Sequence, residues 1–191
     1  MTPKVKFDPD NNDILVSRER RQVLDPSRLL SLLPIMSHHW VADIGCGPGY
    51  FSVPFAKYLF DGKLFALDIQ KEMLEATRQA VEAVHLTNVE LVLSKETKLP
   101  IDDEVLDGAL ASFVLQEASR PSMLLKEARR CLKKSGWLII LEWQKREMDE
   151  GPPVSQRISE PELRAMTEKL GFRFRALRNL NGSQYMMLVR K

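Results

Sequence analysis

The chain has little of what several classes of protein require. Its 191 residues include only two cysteines and three histidines. Cys46 and Cys131 lie far apart and have no companion at metal-ligand spacing, which argues against a disulfide framework and a structural zinc site. No apolar run approaches the roughly 20 residues that a membrane helix needs. We therefore expect neither a bound metal nor a membrane span.

Charge of one sign is also not in excess. The formal net charge is +2, with 28 basic and 26 acidic residues interspersed, so the chain lacks the overall basicity of a typical nucleic-acid binder. The first residues, MTPKVKFDPDNND, contain no apolar core, which predicts that no secretory signal is present and that the protein is cytoplasmic. The composition leaves the oligomeric state open.

What the chain does have is an alternation of apolar runs and amphipathic segments. Short apolar runs predict five strands, at residues 40–44, 63–67, 89–93, 105–113 and 137–143. Asn181-Gly182 separates two further runs and is the typical sequence of a tight hairpin turn. The pattern predicts a doubly wound α/β sheet of seven mostly parallel strands in three αβα layers, with an antiparallel C-terminal hairpin strand.

The start of the chain differs from the rest, being polar and then rich in arginine. We expect residues 1–34 to form an N-terminal segment with a short helix, opened by Asp25-Pro26, that packs on the core and can act as a lid. Residues 35–191 are expected to form the ligand-binding domain. Both parts belong to a single domain.

The chain is organised around residues 41–51, VADIGCGPGYF, in which an apolar run and an aspartate precede three glycines. This order predicts a buried strand that turns sharply into a helix. Glycine allows positive φ and close approach of a ligand, and the helix offers unpaired N–H groups. The stretch therefore predicts a cradle for a nucleotide-like ligand; the alternative is a tight turn that binds nothing.

An acidic residue follows at the end of the second predicted strand. Asp68 comes about twenty residues after Gly45, the separation at which a carboxylate meets the ribose hydroxyls of a bound adenosine. The alternative is a helix-capping aspartate. A dinucleotide fingerprint is disfavoured, because the third glycine comes one position early and Tyr50 occupies the sixth place. A P-loop is excluded, because no Gly-Lys-Ser/Thr follows.

With these residues the chain resembles the class I S-adenosylmethionine (SAM)-dependent methyltransferases, and most of all their small-molecule branch, which includes ubiquinone and menaquinone C-methyltransferases. The resemblance rests on Asp43-Ile44-Gly45-Cys46-Gly47-Pro48-Gly49, on Asp68, on Leu99-Pro100-Ile101 ahead of Leu106-Asp107, and on Leu132-Lys133-Lys134-Ser135-Gly136-Trp137. It implies SAM as cofactor, S-adenosylhomocysteine (SAH) as product and a small-molecule methyl acceptor as partner, with no nucleic acid.

The resemblance also implies the cofactor contacts. It places the methionine part of SAM against the glycine stretch, the ribose at Asp68 and the sulfonium beside the end of the fourth strand. The implied cofactor-binding residues are Asp43, Gly45, Cys46, Gly47, Gly49, Tyr50, Asp68, Ile69, Met73, Lys95, Glu96, Ala111 and Ser112. Lys95 stands where the family commonly has an acid or an amide for the adenine, so Glu96 is the expected acceptor.

Methyl transfer from a sulfonium is an in-line displacement, so the protein mainly aligns the acceptor and excludes water. A base is optional, and the candidates near the mouth of the pocket are Gln116, Glu117 and Glu142. Glu142 is expected to face the crevice at the end of the fifth strand; the alternative is an exposed acid paired with Lys145 or Arg146.

Two flanking segments are expected to lie near the pocket. The loop around Gly151-Pro152-Pro153 is either a substrate lid or a rigid connector. The resemblance implies that Phe7 and the arginines of residues 18–21 close over the cofactor.

Two other functions stay open. A SAM- or SAH-binding protein without catalysis is supported by Lys95 alone. An RNA or protein methyltransferase is disfavoured, because Asn/Asp-Pro-Pro-Tyr/Phe is expected after the fourth strand and this chain has Ala111-Ser112-Phe113-Val114 there. Arg173, Arg175 and Arg178 near the hairpin fit charges that guard an exposed sheet edge better than an RNA-facing surface.

Overall fold

A seven-stranded sheet forms the middle layer of the fold in this computed structural model, which describes residues 16–191. The strands are β1 (Trp40–Ile44), β2 (Lys63–Asp68), β3 (Val89–Leu93), β4 (Leu106–Ser112), β5 (Leu132–Trp143), β6 (Arg173–Asn179) and β7 (Gln184–Arg190). Their order across the sheet is β3-β2-β1-β4-β5-β7-β6. Among these strands β7 alone is reversed: it pairs antiparallel with both β5 and β6, and the other neighbouring pairs are parallel. The predicted mostly parallel sheet with a C-terminal hairpin is confirmed.

Helices cover both faces of the sheet. In the described residues they are α1 (Arg18–Val23), α2 (Pro26–Leu30), α3 (Ser52–Tyr58), α4 (Lys71–Glu82), α5 (Pro121–Cys131) and α6 (Glu160–Lys169). Leu138 and Ile140 of β5 pack in one buried cluster with side chains of α5 and α6, and Ile139 packs in a second cluster with side chains of α2 and α3. This alternation is expected of a strand covered on both faces, and it confirms the three layers.

Two local features differ from the sequence-based predictions. β5 begins at Leu132 rather than at residue 137, because Leu132 already pairs with Leu106 of β4. The register then shifts, and Trp137 pairs with Gly108. A helix also forms at Arg18–Val23, where none was predicted. Ser17 caps it, since its Oγ accepts a hydrogen bond from the Arg20 N–H at 3.1 Å.

The N-terminal helices lie against the main body of the fold. Leu24 and Leu29 are buried in the same cluster as Phe55 of α3. The position of Phe7, which was expected to close over the cofactor, lies outside the described residues, and the division of the chain at residue 34 stays a prediction. None of the helices in residues 16–191 is long and apolar enough to cross a membrane.

The sheet order places a crevice between β1 and β4. From β1 the chain proceeds to β2 and β3 on one side, and returns to β4 and β5 on the other. In doubly wound sheets the loops after two such strands leave in opposite directions, and ligands bind outside the carboxyl ends at that point.

Candidate functional site

The carboxyl ends of the parallel strands open into one cavity at this crevice. Ten of the predicted cofactor-binding residues line it, namely Gly45, Cys46, Gly47, Tyr50, Asp68, Ile69, Met73, Lys95, Glu96 and Ser112. Asp43, Gly49 and Ala111 are absent from its lining. The topology therefore brings together residues from four separate parts of the sequence.

The glycine loop after β1 has a backbone that requires glycine. Gly45, Gly47 and Gly49 have φ of 72°, 54° and 85°, in the left-handed region that other L-residues rarely adopt. A Cβ on Gly45 would lie 2.8 Å from Cγ2 of Val114, so the loop also packs closely on the opposite wall. The N–H groups of Gly45 and Cys46 donate to the Leu67 carbonyl at 2.8 and 2.9 Å, which ties the loop to β2.

Asp68 joins this loop to the start of α4. Its Oδ2 accepts a hydrogen bond from the Gly47 N–H and its Oδ1 one from the Gln70 N–H, both at 3.0 Å. The side chain is only 8% exposed, yet it lines the cavity. The Asp68 carboxylate therefore agrees with both interpretations of this residue, because it caps the segment before α4 and also lines the cavity.

Asp43 lies behind the glycine loop and is 1% exposed. Its Oδ2 accepts a hydrogen bond from the Ser52 hydroxyl at 2.6 Å, while its Oδ1 has no hydrogen-bond partner within residues 16–191. Burial raises the pKa of Asp43 to about 6, against the Ser52 hydrogen bond, which lowers it. A buried carboxylate oxygen without a donor is costly, so this position favours a cationic ligand group.

Arg20 of α1 covers the cavity from the N-terminal side. Its guanidinium lies 4.6 Å from the ring centre of Tyr50 and 5.7 Å from that of Phe113, whereas Arg18 and Arg21 are exposed. Burial lowers the pKa of Arg20, while Tyr50 and Asp43 act in the opposite direction. The Tyr50 hydroxyl donates to the Leu24 carbonyl at 2.6 Å. These contacts connect the N-terminal segment directly to the site.

On the side of the cavity beyond β3, the backbone of Lys95 and the side chain of Glu96 both make hydrogen bonds within the protein. Lys95 forms an isolated bridge with Lys98 through backbone hydrogen bonds of 3.1 and 3.2 Å. Glu96, the predicted acceptor for the adenine, accepts hydrogen bonds at Oε1 from the Ser119 N–H at 2.6 Å, the Ser119 hydroxyl at 2.5 Å and the Arg120 N–H at 3.2 Å. The Glu96 carboxylate thus holds the segment that precedes α5. Ile69 and Met73 supply apolar surface nearby.

The three candidate bases are placed differently. Glu117 lines the cavity, whereas Gln116 and Glu142 are absent from its lining. Glu142 is 0% exposed, so the alternative of an exposed acid paired with Lys145 or Arg146 is wrong. Lys145 pairs instead with Glu162 at 2.9 Å. The expectation that Glu142 faces the crevice fails because its carboxylate turns towards the backbone of the neighbouring segment, at the Leu115 N–H.

The loop of residues 144–157 has the structure of a rigid connector. The Arg157 side chain, which is 3% exposed, donates to the carbonyls of Pro152, Gln144, Arg146 and Glu150 at 2.8, 3.1, 2.8 and 2.7 Å. None of the residues 144–157 lines the cavity. The structure therefore favours the connector over the substrate lid.

Sequence reasoning missed several cavity residues, among them Phe113, Val114 and Leu124. The first two follow the end of β4 directly, so the rule that pointed to Ser112 would have found them if it had been extended past the strand. Leu124 has the apolar signature of any core residue of a helix, so no sequence signal distinguishes it. Among the described residues, no group of three or more His, Cys, Asp and Glu side chains is placed to hold a metal ion.

Comparison with known proteins gives consistent results. The chain matches the family described as "Methyltransferase domain" over residues 42–140. The crystal structure of a SAM-dependent methyltransferase from Aquifex aeolicus is similar with a TM-score of 0.92 and 30% identity, over 97% of this chain and 99% of that one. That of a SAM-dependent methyltransferase from Methanosarcina mazei has a TM-score of 0.68 and 17% identity, over 82% of this chain and 94% of that one. The second likeness shows the fold alone.

Among curated proteins, a demethylmenaquinone methyltransferase of Bacillus mycoides is 30% identical over 72% of this chain and 57% of its own length. The chain thus spans little more than half of that relative. The family match and the nearly complete coverage of the Aquifex aeolicus structure show that the chain belongs to the S-adenosylmethionine-dependent methyltransferases.

Proposed function

We propose that this protein transfers the methyl group of SAM to a small-molecule acceptor and releases SAH. The observation that carries the proposal is the unpartnered Oδ1 of buried Asp43 behind the glycine loop. A second carboxylate, Asp68, lies on the adjacent strand and lines the cavity in front of that loop. The two acids fit the ammonium and the ribose hydroxyls of one adenosyl amino acid.

The remaining groups fit the other parts of the same cofactor. Arg20 supplies a desolvated cation near Asp43, which suits the carboxylate of the methionine part. Ile69 and Met73 offer apolar contact to the adenine, whereas Lys95 offers no side-chain acceptor and Glu96 Oε1 already accepts three hydrogen bonds. When bound, SAM supplies an electrophilic methyl group on sulfur.

We further propose that the acceptor is aromatic and carries an acidic hydroxyl, as a hydroquinone does. The wall after β4 presents Phe113, Val114 and Leu124, which suits an apolar ring. Glu117 is the candidate base that lines the cavity, and its role is to take the hydroxyl proton as a ring carbon attacks the methyl carbon and the bond from that methyl to sulfur breaks, which leaves SAH. The proton on the methylated ring carbon is then lost to the oxygen or to solvent as the ring regains its aromaticity. The name of the Bacillus mycoides relative agrees with this class of acceptor.

The experiment combines binding with product formation. Calorimetry is expected to show binding of both SAM and SAH, and methyl-labelled SAM is expected to label a hydroquinone or naphthol acceptor in preference to amines and thiols. Glu117→Gln is expected to lower kcat at least tenfold while SAM binding is kept. Absence of binding of both ligands to the intact protein would refute the proposal. Binding without transfer to any acceptor supports a non-catalytic SAM-binding protein, and preferential labelling of RNA or protein supports the other alternative.

The cytoplasmic location stays a prediction from the sequence. The absence of a nucleic-acid partner is likewise a proposal, supported by the near balance of basic and acidic residues.

A further inference from the structure

Glu142 is the penultimate residue of β5, which pairs with β4, and its side chain contacts the segment that follows β4. Its Oε1 accepts hydrogen bonds from the N–H groups of Leu115 at 3.1 Å and of Gln116 at 3.3 Å. Both N–H groups belong to residues 113–118, which we call the post-β4 turn. A side chain that does not line the cavity is thus bonded directly to the segment that does.

The post-β4 turn lacks internal acceptors for these two N–H groups. It closes one helical turn through the hydrogen bond from the Ala118 N–H to the Val114 carbonyl at 3.0 Å. The N–H groups of Leu115 and Gln116 precede this bond, so they have the position of the first N–H groups of a helix, which need a partner from elsewhere. A carboxylate is a strong acceptor at such a position, and here it comes from a neighbouring strand.

The turn forms part of the cavity wall. Val114, Glu117 and Ala118 line the cavity, and Val114 packs so closely on Gly45 that a Cβ there would lie 2.8 Å from its Cγ2. Phe113 has φ of 59°, a conformation that an aromatic residue adopts only where surrounding contacts impose it. A shift of this turn would therefore move both the glycine loop and the group proposed as base.

We propose that Glu142 is a positioning residue for methyl transfer. Its carboxylate holds the post-β4 turn in place through the N–H groups of Leu115 and Gln116, and the turn thereby positions Glu117. This role rests on the proposed function. Burial of a carboxylate costs free energy, and a well-packed apolar side chain commonly gives equal or greater stability. A buried acid at this position is therefore better explained by the placement of the turn than by stability.

The test compares Glu142→Ala and Glu142→Gln with Glu127→Gln as a matched control. Glu127 also accepts a backbone hydrogen bond through its carboxylate, from the Leu99 N–H at 3.1 Å, but it is absent from the cavity lining. The measurements are amide hydrogen exchange at Leu115 and Gln116 by NMR on the full chain, kcat and KM for the acceptor, and thermal unfolding.

We expect exchange at Leu115 and Gln116 to rise at least tenfold in Glu142→Ala, with kcat lowered at least tenfold and KM changed less. Glu142→Gln keeps an acceptor oxygen without the charge, so this variant is expected to retain most of the wild-type kcat. The control is expected to lower the unfolding temperature but to leave kcat and these two exchange rates as in the wild type. If Glu142→Ala does not fold, Glu142→Gln alone is expected to raise exchange at both amides and to lower kcat, both by a smaller but measurable factor.

Two outcomes would overturn the inference. One is a Glu142→Ala protein that changes only in unfolding temperature, as the control does. The other is faster exchange at both amides with unchanged kcat. A wild-type protein that does not bind SAM would refute the proposed function instead, and the exchange measurement on the free protein still reports on the contact between Glu142 and the turn.

Discussion

The carboxylate of Asp68, at the end of β2, accepts a hydrogen bond from the backbone N–H of Gly47 in the loop after β1 at 3.0 Å. The same side chain accepts a hydrogen bond from the Gln70 N–H just before α4, also at 3.0 Å. A single acid therefore fixes the glycine loop and the start of a helix while it lines the cavity.

Replacement of Asp68 tests this double role. Asp68→Ala removes the support of the loop as well as the proposed partner of the ribose, so we expect SAM affinity to fall at least about 100-fold, since each charge-assisted hydrogen bond contributes about 1.5–3 kcal/mol. Asp68→Asn keeps one acceptor oxygen and is expected to lose less. Calorimetric titration with SAM measures both, and the exposed Glu72→Ala of the same region is the control. Equal affinities of wild type and Asp68→Ala would contradict the role.

Gly47→Val is expected to have a similarly severe effect on SAM affinity, for a backbone reason. Gly47 has φ of 54°, and a β-branched residue at positive φ is strongly disfavoured. The strain is expected to displace the loop even though Asp68 is unchanged. Normal SAM affinity of a folded Gly47→Val protein, measured by the same titration, would show that the loop conformation is not required.

The raised pKa of Asp43 predicts how SAM affinity depends on pH. Since burial raises this pKa to about 6 in the free protein, the carboxyl is protonated at lower pH and must release its proton to pair with an ammonium group. SAM affinity is therefore expected to fall by up to tenfold per pH unit below about 6 and to be flat above it. For stability the sign is opposite: the protonated acid stabilises the fold, and this contribution is lost as pH rises from about 4 through about 6.

Calorimetry from about pH 5 to about pH 8 measures this dependence, and buffers of different ionisation enthalpy report the released proton. Asp43→Asn is expected to bind SAM more weakly at neutral pH, with the acid limb of the profile abolished. The same acid limb in wild type and Asp43→Asn would assign the titration to another group.

The contacts of Arg157 predict that the loop of residues 144–157 stays ordered with or without ligand. Arg157→Ala leaves four carbonyls without their donor, so we expect the free energy of unfolding to fall by about 2–4 kcal/mol. Arg157→Lys is expected to recover little, because an ammonium group cannot reproduce the planar fork of a guanidinium. SAM affinity is expected to change less than threefold.

Hydrogen exchange across the loop provides the measurement. In the wild type, exchange of residues 144–157 is expected to be equal with and without SAM, and in Arg157→Ala it is expected to be faster in both states. Protection of the loop on SAM binding would restore its interpretation as a substrate lid.

Periodicity and turn signals predicted the strands of the sheet well, since buried strands are continuous apolar runs and Asn181-Gly182 marks a hairpin. Helix α1 was not predicted, because Arg18–Val23 is highly charged and little but the cap at Ser17 indicates a helix. The start of β5 was predicted too late, because residues 133–135 are exposed within the strand and have no apolar pattern.

The sequence by itself determined the glycine loop, Asp43 and Asp68, and with them the family. These features are local: positive φ requires glycine, and a carboxylate at the end of a strand is recognised from the strand. The contacts of Glu142, Glu96 and Arg157 were decided only by the tertiary structure. Glu142 and Glu96 accept hydrogen bonds from backbone N–H groups of a separate segment, and Arg157 donates to backbone carbonyls of its own loop. Such bonds between a side chain and the backbone leave no periodicity in the sequence.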